Sequence, residues 1–221
     1  MKYLVASGLR SADLPKGCRV IADGEAASLE LPWSFGAPVI AQVDNGADLN
    51  ALKCRPGVTA FAVEGLLAPG AGKAFAIGAH RMRDAEAFKP YAARVPDVIK
   101  DYGCRYIARG DAVTPLGGSF APDRAVLMEF PSADDVVAFY FSKAYAPLLR
   151  IRPARLLNPR RVGGGINVLP LRAEPKVFPR HTRAISIRAA LPRKYPDLRP
   201  ARDFPRPHFL RCIRGQPRSH R

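Results

Sequence analysis

The chain has 221 residues, enough to bury a core as one domain or as two small ones, and its 48% hydrophobic content is ordinary for a globular protein. Its net charge of +16 is not ordinary, but it is concentrated: residues 152–221 hold 18 Arg or Lys against only Glu174, Asp197 and Asp203, which leaves residues 1–151 nearly neutral. No run reaches the roughly 18 apolar residues of a membrane span, and Cys18, Cys54, Cys104 and Cys212 lack the short paired spacing of a zinc site.

The cysteines are therefore expected as free thiols, which points to a reducing, cytoplasmic setting. The N-terminal run breaks at Arg10 after about seven apolar residues with no small-residue cleavage site, so a strand over 2–9 is expected in place of a signal peptide. Residues 11–17 are too few for a long helix. Strands follow at 19–22 and 38–43, a short helix at 46–52, and a strand at 59–65. The Ala/Pro/Gly-rich stretch 66–72 reads as a linker.

Residues 73–82 predict a strand with Phe75, Ile77 and Ala79 on one face and Ala76, Gly78 and His80 on the other. Asp84 offers an N-cap to a helix whose apolar stripe includes Phe88, Tyr91, Val95, Ile99 and Tyr102, with Gly103 as its stop. Pro90 and Pro96 predict a kink or a late start. A second strand at 104–109 leads through a turn-rich segment, 114–118, to a third at 124–130. Ser132 with Asp135 forms a capping signature. The helix it opens carries Val136, Phe139, Tyr140 and Tyr145 and ends near Leu149. Beyond residue 151 the tail holds 11 of the 22 prolines and is expected to be mostly disordered, Ile166-Asn167-Val168-Leu169 alone looking strand-like.

Cys18-Arg19-Val20-Ile21-Ala22-Asp23-Gly24 and Cys104-Arg105-Tyr106-Ile107-Ala108-Arg109-Gly110 share five of seven residues, and the same offset aligns the later elements. The expected fold is α+β, with two ferredoxin-like half-units, 1–66 and 73–151, packed as an intramolecular α+β barrel pseudo-dimer before a basic tail, 152–221. Trp33 would pack across that pseudo-dimer. The chain would be a monomeric pseudo-dimer or a homodimer.

The second half resembles the domain-of-unknown-function family 1330, within the dimeric α+β barrel superfamily. The resemblance rests on Ala87-Phe88-Lys89-Pro90-Tyr91, Tyr102-Gly103, Tyr106-Ile107-Ala108-Arg109-Gly110, Val126-Leu127-Met128-Glu129-Phe130-Pro131-Ser132, and Phe139-Tyr140 with Ser142 and Tyr145. It implies sheets paired into a barrel with a cavity between sheet and helices, and no defined reaction. Monooxygenases and haem-binding proteins of the wider superfamily are analogies of fold alone. Family members end in a strand that Ala62-Val63-Glu64-Gly65 matches in the first half. In the second half the chain passes from Leu149-Arg150 into the Arg/Pro tail, a switch of the kind an out-of-frame GC-rich gene would give.

Candidate catalytic residues are Glu129, Arg109 and His80, and candidate ligand-binding residues are Arg109, Tyr140 and Tyr145. In the functional reading Arg109 and Glu129 line the cavity together, the arginine holding an anionic group and the glutamate serving as acid or base. In the structural reading they are an ion pair or solvent-facing charges. His80 lacks a second ligand nearby, so no metal is expected, and no sequence motif points to a cofactor. The functions left open are small-molecule binding or cofactor-independent catalysis in the cavity, non-specific nucleic-acid or polyanion binding by the tail, and a degenerate, inactive or frameshifted chain.

Overall fold

The computed structural model describes residues 1–24, 26–29, 37–53, 55–82, 84–118, 120–151 and 166–170. Among the described residues nine strands form one antiparallel sheet: β1 (Lys2–Ser7), β2 (Cys18–Asp23), β3 (Ala27–Ser28), β4 (Pro38–Val43), β5 (Thr59–Gly65), β6 (Ala74–His80), β7 (Arg105–Gly117), β8 (Arg124–Phe130) and β9 (Ile166–Pro170). The helices are α1 (Ala85–Lys100), α2 (Ala133–Tyr140) and α3 (Ala146–Ile151).

The strand order is β2-β4-β1-β5-β7-β8-β6-β9-β3. The outermost members, β2 and β3, are separated in the chain only by residues 24–26. A flat sheet of this order would be roughly 38 Å wide at the usual strand spacing. The chain from the end of β2 to the start of β3 reaches about 14 Å at most. The sheet must therefore curl until its ends approach, and it forms a half-barrel.

Strand alternation sorts the side chains onto two surfaces. Inside the curl, Tyr3 and Val5 of β1, Ile40 of β4, Phe61 of β5, Ile77 of β6 and Leu127 of β8 meet in one buried cluster. On the outer face of β6 and β8, Ala74, Ala76, Met128 and Phe130 pack under the apolar sides of α1, α2 and α3. Both faces of β6 are covered, so every residue of that strand is buried. On the other half, among the described residues, the outer face is covered by a short 3-10 turn and loops, Leu52 and Val58 among them, packed on Leu4, Val43 and Leu116.

Several expectations are met. β4 and β5 have the bounds read from the sequence. The side chain of Asp84 caps α1 by accepting from the Ala87 N–H, and that of Ser132 caps α2 by accepting from the Asp135 N–H. Residues 166–170 do form a strand, which pairs with β6.

Three expectations are corrected. The segment 114–118 is not a turn: β7 continues to Gly117, with Pro115 opposite Phe61 of β5. β8 pairs with β7 only as far as Gly110, so the later part of β7 has one open edge, where a proline costs no ladder bond. The last helix is two helices, broken at 141–145, because the Ser142 hydroxyl accepts from the Tyr145 N–H at 3.0 Å and restarts the chain as α3. And α1 runs through both prolines without interruption. Trp33, Cys54, Cys212 and, apart from β9, the tail beyond residue 151 lie outside the described residues.

Candidate functional site

A cavity of about 30 Å³ lies between α1 and the outer face of β6, β8 and β7. Its polar lining comes from His80, Tyr91, Tyr106, Arg109, Arg124 and Tyr145. Phe88, Val126 and Met128 supply apolar wall. Among the described residues no Asp or Glu lines it.

Register explains the grouping. His80 and Arg124 are direct partners across β6 and β8. Both lie on the face that carries Ala76, Val126 and Met128, toward the helices. Arg109 pairs with Val126 across β7 and β8, and stands at an irregularity where β7 carries extra residues against β5. That bulge re-aims the strand locally. Asp111, inside it, forms an ion pair with Arg124, whose side chain is 13% exposed against 71% for the aspartate.

Arg109 is held by a defect in α1. Residue 96 is a proline and has no N–H to bond the carbonyl four residues before it, that of Ala92. The Arg109 guanidinium donates to the Ala92 carbonyl at 2.6 Å and lies 5.0 Å from the Tyr106 ring centroid. Arg124 stacks over Phe88 at 5.2 Å. Among the described residues these contacts, with the Asp111 pair, leave several donors of each guanidinium without a partner.

His80 is 5% exposed, and its ring has no hydrogen-bond partner among the described residues. Burial, helped by Arg124, lowers its pKa to about 4, so the imidazole is neutral near pH 7. Tyr91 and Tyr145 share a hydrogen bond at 2.6 Å between their hydroxyls. Burial raises the pKa of both, and pushes that of Tyr106 up to about 12. The cavity thus offers cations, neutral phenol donors and one neutral nitrogen base.

Glu129 is not at this cavity. Residues 125, 127 and 129 of β8 face the inside of the curl, and the helix side belongs to 126, 128 and 130. The Glu129 carboxylate accepts from the Gly72 N–H at 2.7 Å and the Gly70 N–H at 3.0 Å, and pairs with Arg105, its cross-strand partner, at 3.4 Å. A Cβ on residue 72 would fall 2.3 Å from the Glu129 Cγ, so glycine is required there. Glu129 therefore anchors the linker 66–72. Tyr140 also lies away from the lining: its ring packs 5.2 Å from Phe141 and 5.8 Å from Tyr145. Of the residues singled out from sequence, the structure unites His80, Arg109 and Tyr145, and separates Glu129 and Tyr140.

Arg124, Tyr91 and Tyr106 are absent from the sequence-based set. Alternation along 124–130 carried the signal for Arg124, which shares a face with Val126 and Met128. Cys104, just before β7, is a free, half-buried thiol whose pKa burial raises. Among the described residues no three His, Cys, Asp or Glu side chains converge as a metal site, and no helix is long and apolar enough to cross a membrane.

Residues 73–156 match a protein family described as a domain of unknown function, DUF1330. The segment contains α1, β6, β7, β8 and all residues of the cavity. No curated protein matches the chain.

Proposed function

We propose that the chain binds a small molecule, or acts on one without a cofactor, in the cavity between α1 and strands β6, β8 and β7. The observation that carries this reading is the convergence, on one cavity, of Arg109, Arg124 and a buried His80 whose ring has no hydrogen-bond partner among the described residues. Burying such groups without full pairing costs stability, and proteins keep that arrangement mainly at working sites. As an enzyme, the neutral His80 would accept a proton while the guanidiniums stabilise negative charge.

The architecture supporting this reading is a pseudo-dimer of ferredoxin-like units, 1–66 and 73–151, the second completed by β9 from beyond residue 151. The runs β2-β4-β1-β5 and β7-β8-β6-β9 each place their strands in the same chain order, second, third, first and last, with the two-residue β3 set aside. The halves meet where β5 pairs with β7. Asp23 stands where the second half has Arg109, so only that half carries the site. The test is a fragment screen by thermal shift on the native protein and on Ala92→Leu, which fills the cavity. Ligands should raise the Tm of the native protein only; shifts that persist in the filled variant would place binding elsewhere.

A second reading, polyanion binding through residues 152–221, is favoured by their 18 basic residues against 3 acidic ones. Its signature is affinity for any nucleic acid that falls steeply with salt. Affinity for duplex DNA that is insensitive to salt would sink it.

A further inference from the structure

We infer that the cavity takes the carboxylate of a short monocarboxylic acid, seated between the guanidiniums of Arg109 and Arg124 and against the ring of His80. This rests on the cavity being the binding site. The first argument is charge. Two guanidiniums border the space, and among the described residues no carboxylate lines it. Asp111 meets Arg124 from the solvent side, where water weakens the pair. Arg109 has a neutral partner, the Ala92 carbonyl. The site therefore holds an excess of positive charge behind apolar walls, where an anion is attracted more strongly than in water.

The second argument is the ring of His80. A neutral imidazole carries one N–H donor and one acceptor nitrogen, and here neither has a protein partner among the described residues. A carboxylate oxygen beside it would accept from the ring N–H. The third is size. About 30 Å³ is room for roughly two waters, which suits a carboxylate with one or two carbons behind it; a bulkier acid would have to project from the open side. The planar, two-oxygen carboxylate also matches the guanidinium fork, and a monoanion costs less to desolvate than a phosphate dianion.

The test uses the full-length protein with labelled histidine, at about 0.2 M sodium chloride to screen the basic tail. The His80 ring resonances are followed by NMR, assigned with His80→Gln. Acetate and propionate are titrated beside acetamide and propionamide, their neutral counterparts, and beside inorganic phosphate. Acetate should move the His80 signals saturably and bind at least about tenfold tighter than acetamide, and its saturation should raise the pH at which the ring titrates. Arg109→Gln should abolish that preference for the acid. Acetamide binding as well as acetate, phosphate binding tighter than acetate, or an undiminished preference in Arg109→Gln would each overturn the carboxylate assignment while the cavity stands as a binding site. If none of these compounds moves His80, the assignment and the cavity reading fall together. The comparison of acid with amide is made on the native protein, so it holds even if Arg109→Gln fails to fold.

Discussion

Glu129 and His80 are buried polar residues at 1% and 5% exposure, and they solve the same problem in opposite ways. Glu129 is surrounded by the backbone N–H groups of Gly70 and Gly72 and by Arg105. Replacing it with Gln should cost about 1–3 kcal/mol of stability in urea unfolding and leave ligand responses at His80 unchanged. His80 instead gives up its charge. Its folded pKa of about 4 lies below the 6.5 of a free imidazole, so in that interval the unfolded chain binds the extra proton. Stability from this residue is whole above about pH 6.5 and is lost as the pH falls toward 4, a total of about 3 kcal/mol. Urea midpoints measured across that range should decline on acidification, and His80→Gln should flatten the slope.

At the scale of elements, the prolines of α1 are a working part of the site. Pro96 withholds a donor from Ala92, and Arg109 fills the gap. In Pro96→Ala the restored N–H competes for that carbonyl. The helix should gain about 1–3 kcal/mol, while the affinity of the cavity for anions falls severalfold, a combination that thermal unfolding and ligand titration would separate. Element positions were legible wherever alternation or capping was clean, as in β4, β5 and the starts of α1 and α2. They were illegible where the signal lay in pairing. Nothing in 110–117 announces that its neighbour strand ends, so Pro115 and Gly117 read as a turn. Tyr145 falls at helical spacing from the residues before it, so the break at Ser142 is hidden. For the cavity, His80 and Arg109 could be found as polar residues at the ends of apolar strands. Glu129 was misplaced because the face of a strand residue depends on register, and Arg124 was missed because a charge at a strand start reads as solvent-facing.

For the whole molecule the decisive strand is β9, which lies within the basic tail. It covers the edge of β6 and pairs onward with β3. A chain ended after Arg150 loses it and leaves β6 with an open, apolar edge. It should melt at least roughly 4 °C lower than a chain ended after residue 171, and it should aggregate on standing. Calorimetry and light scattering on the two truncations would show it; equal melting would mean that β9 contributes nothing to the sheet.

The junction of β3 with β9 sets Ala27 against Val168. A ribosome making this chain has produced β1, β2 and β3 long before β9 leaves the exit tunnel. The wall near the N-terminus must wait, seam open, for a partner encoded more than a hundred residues later. Contacts of such long range form slowly, because so much chain must be ordered to close them. The half-barrel should therefore zip from its middle, where β5 meets β7, and the β3–β9 seam should be the last part to close during synthesis and the first to exchange its amide hydrogens afterwards.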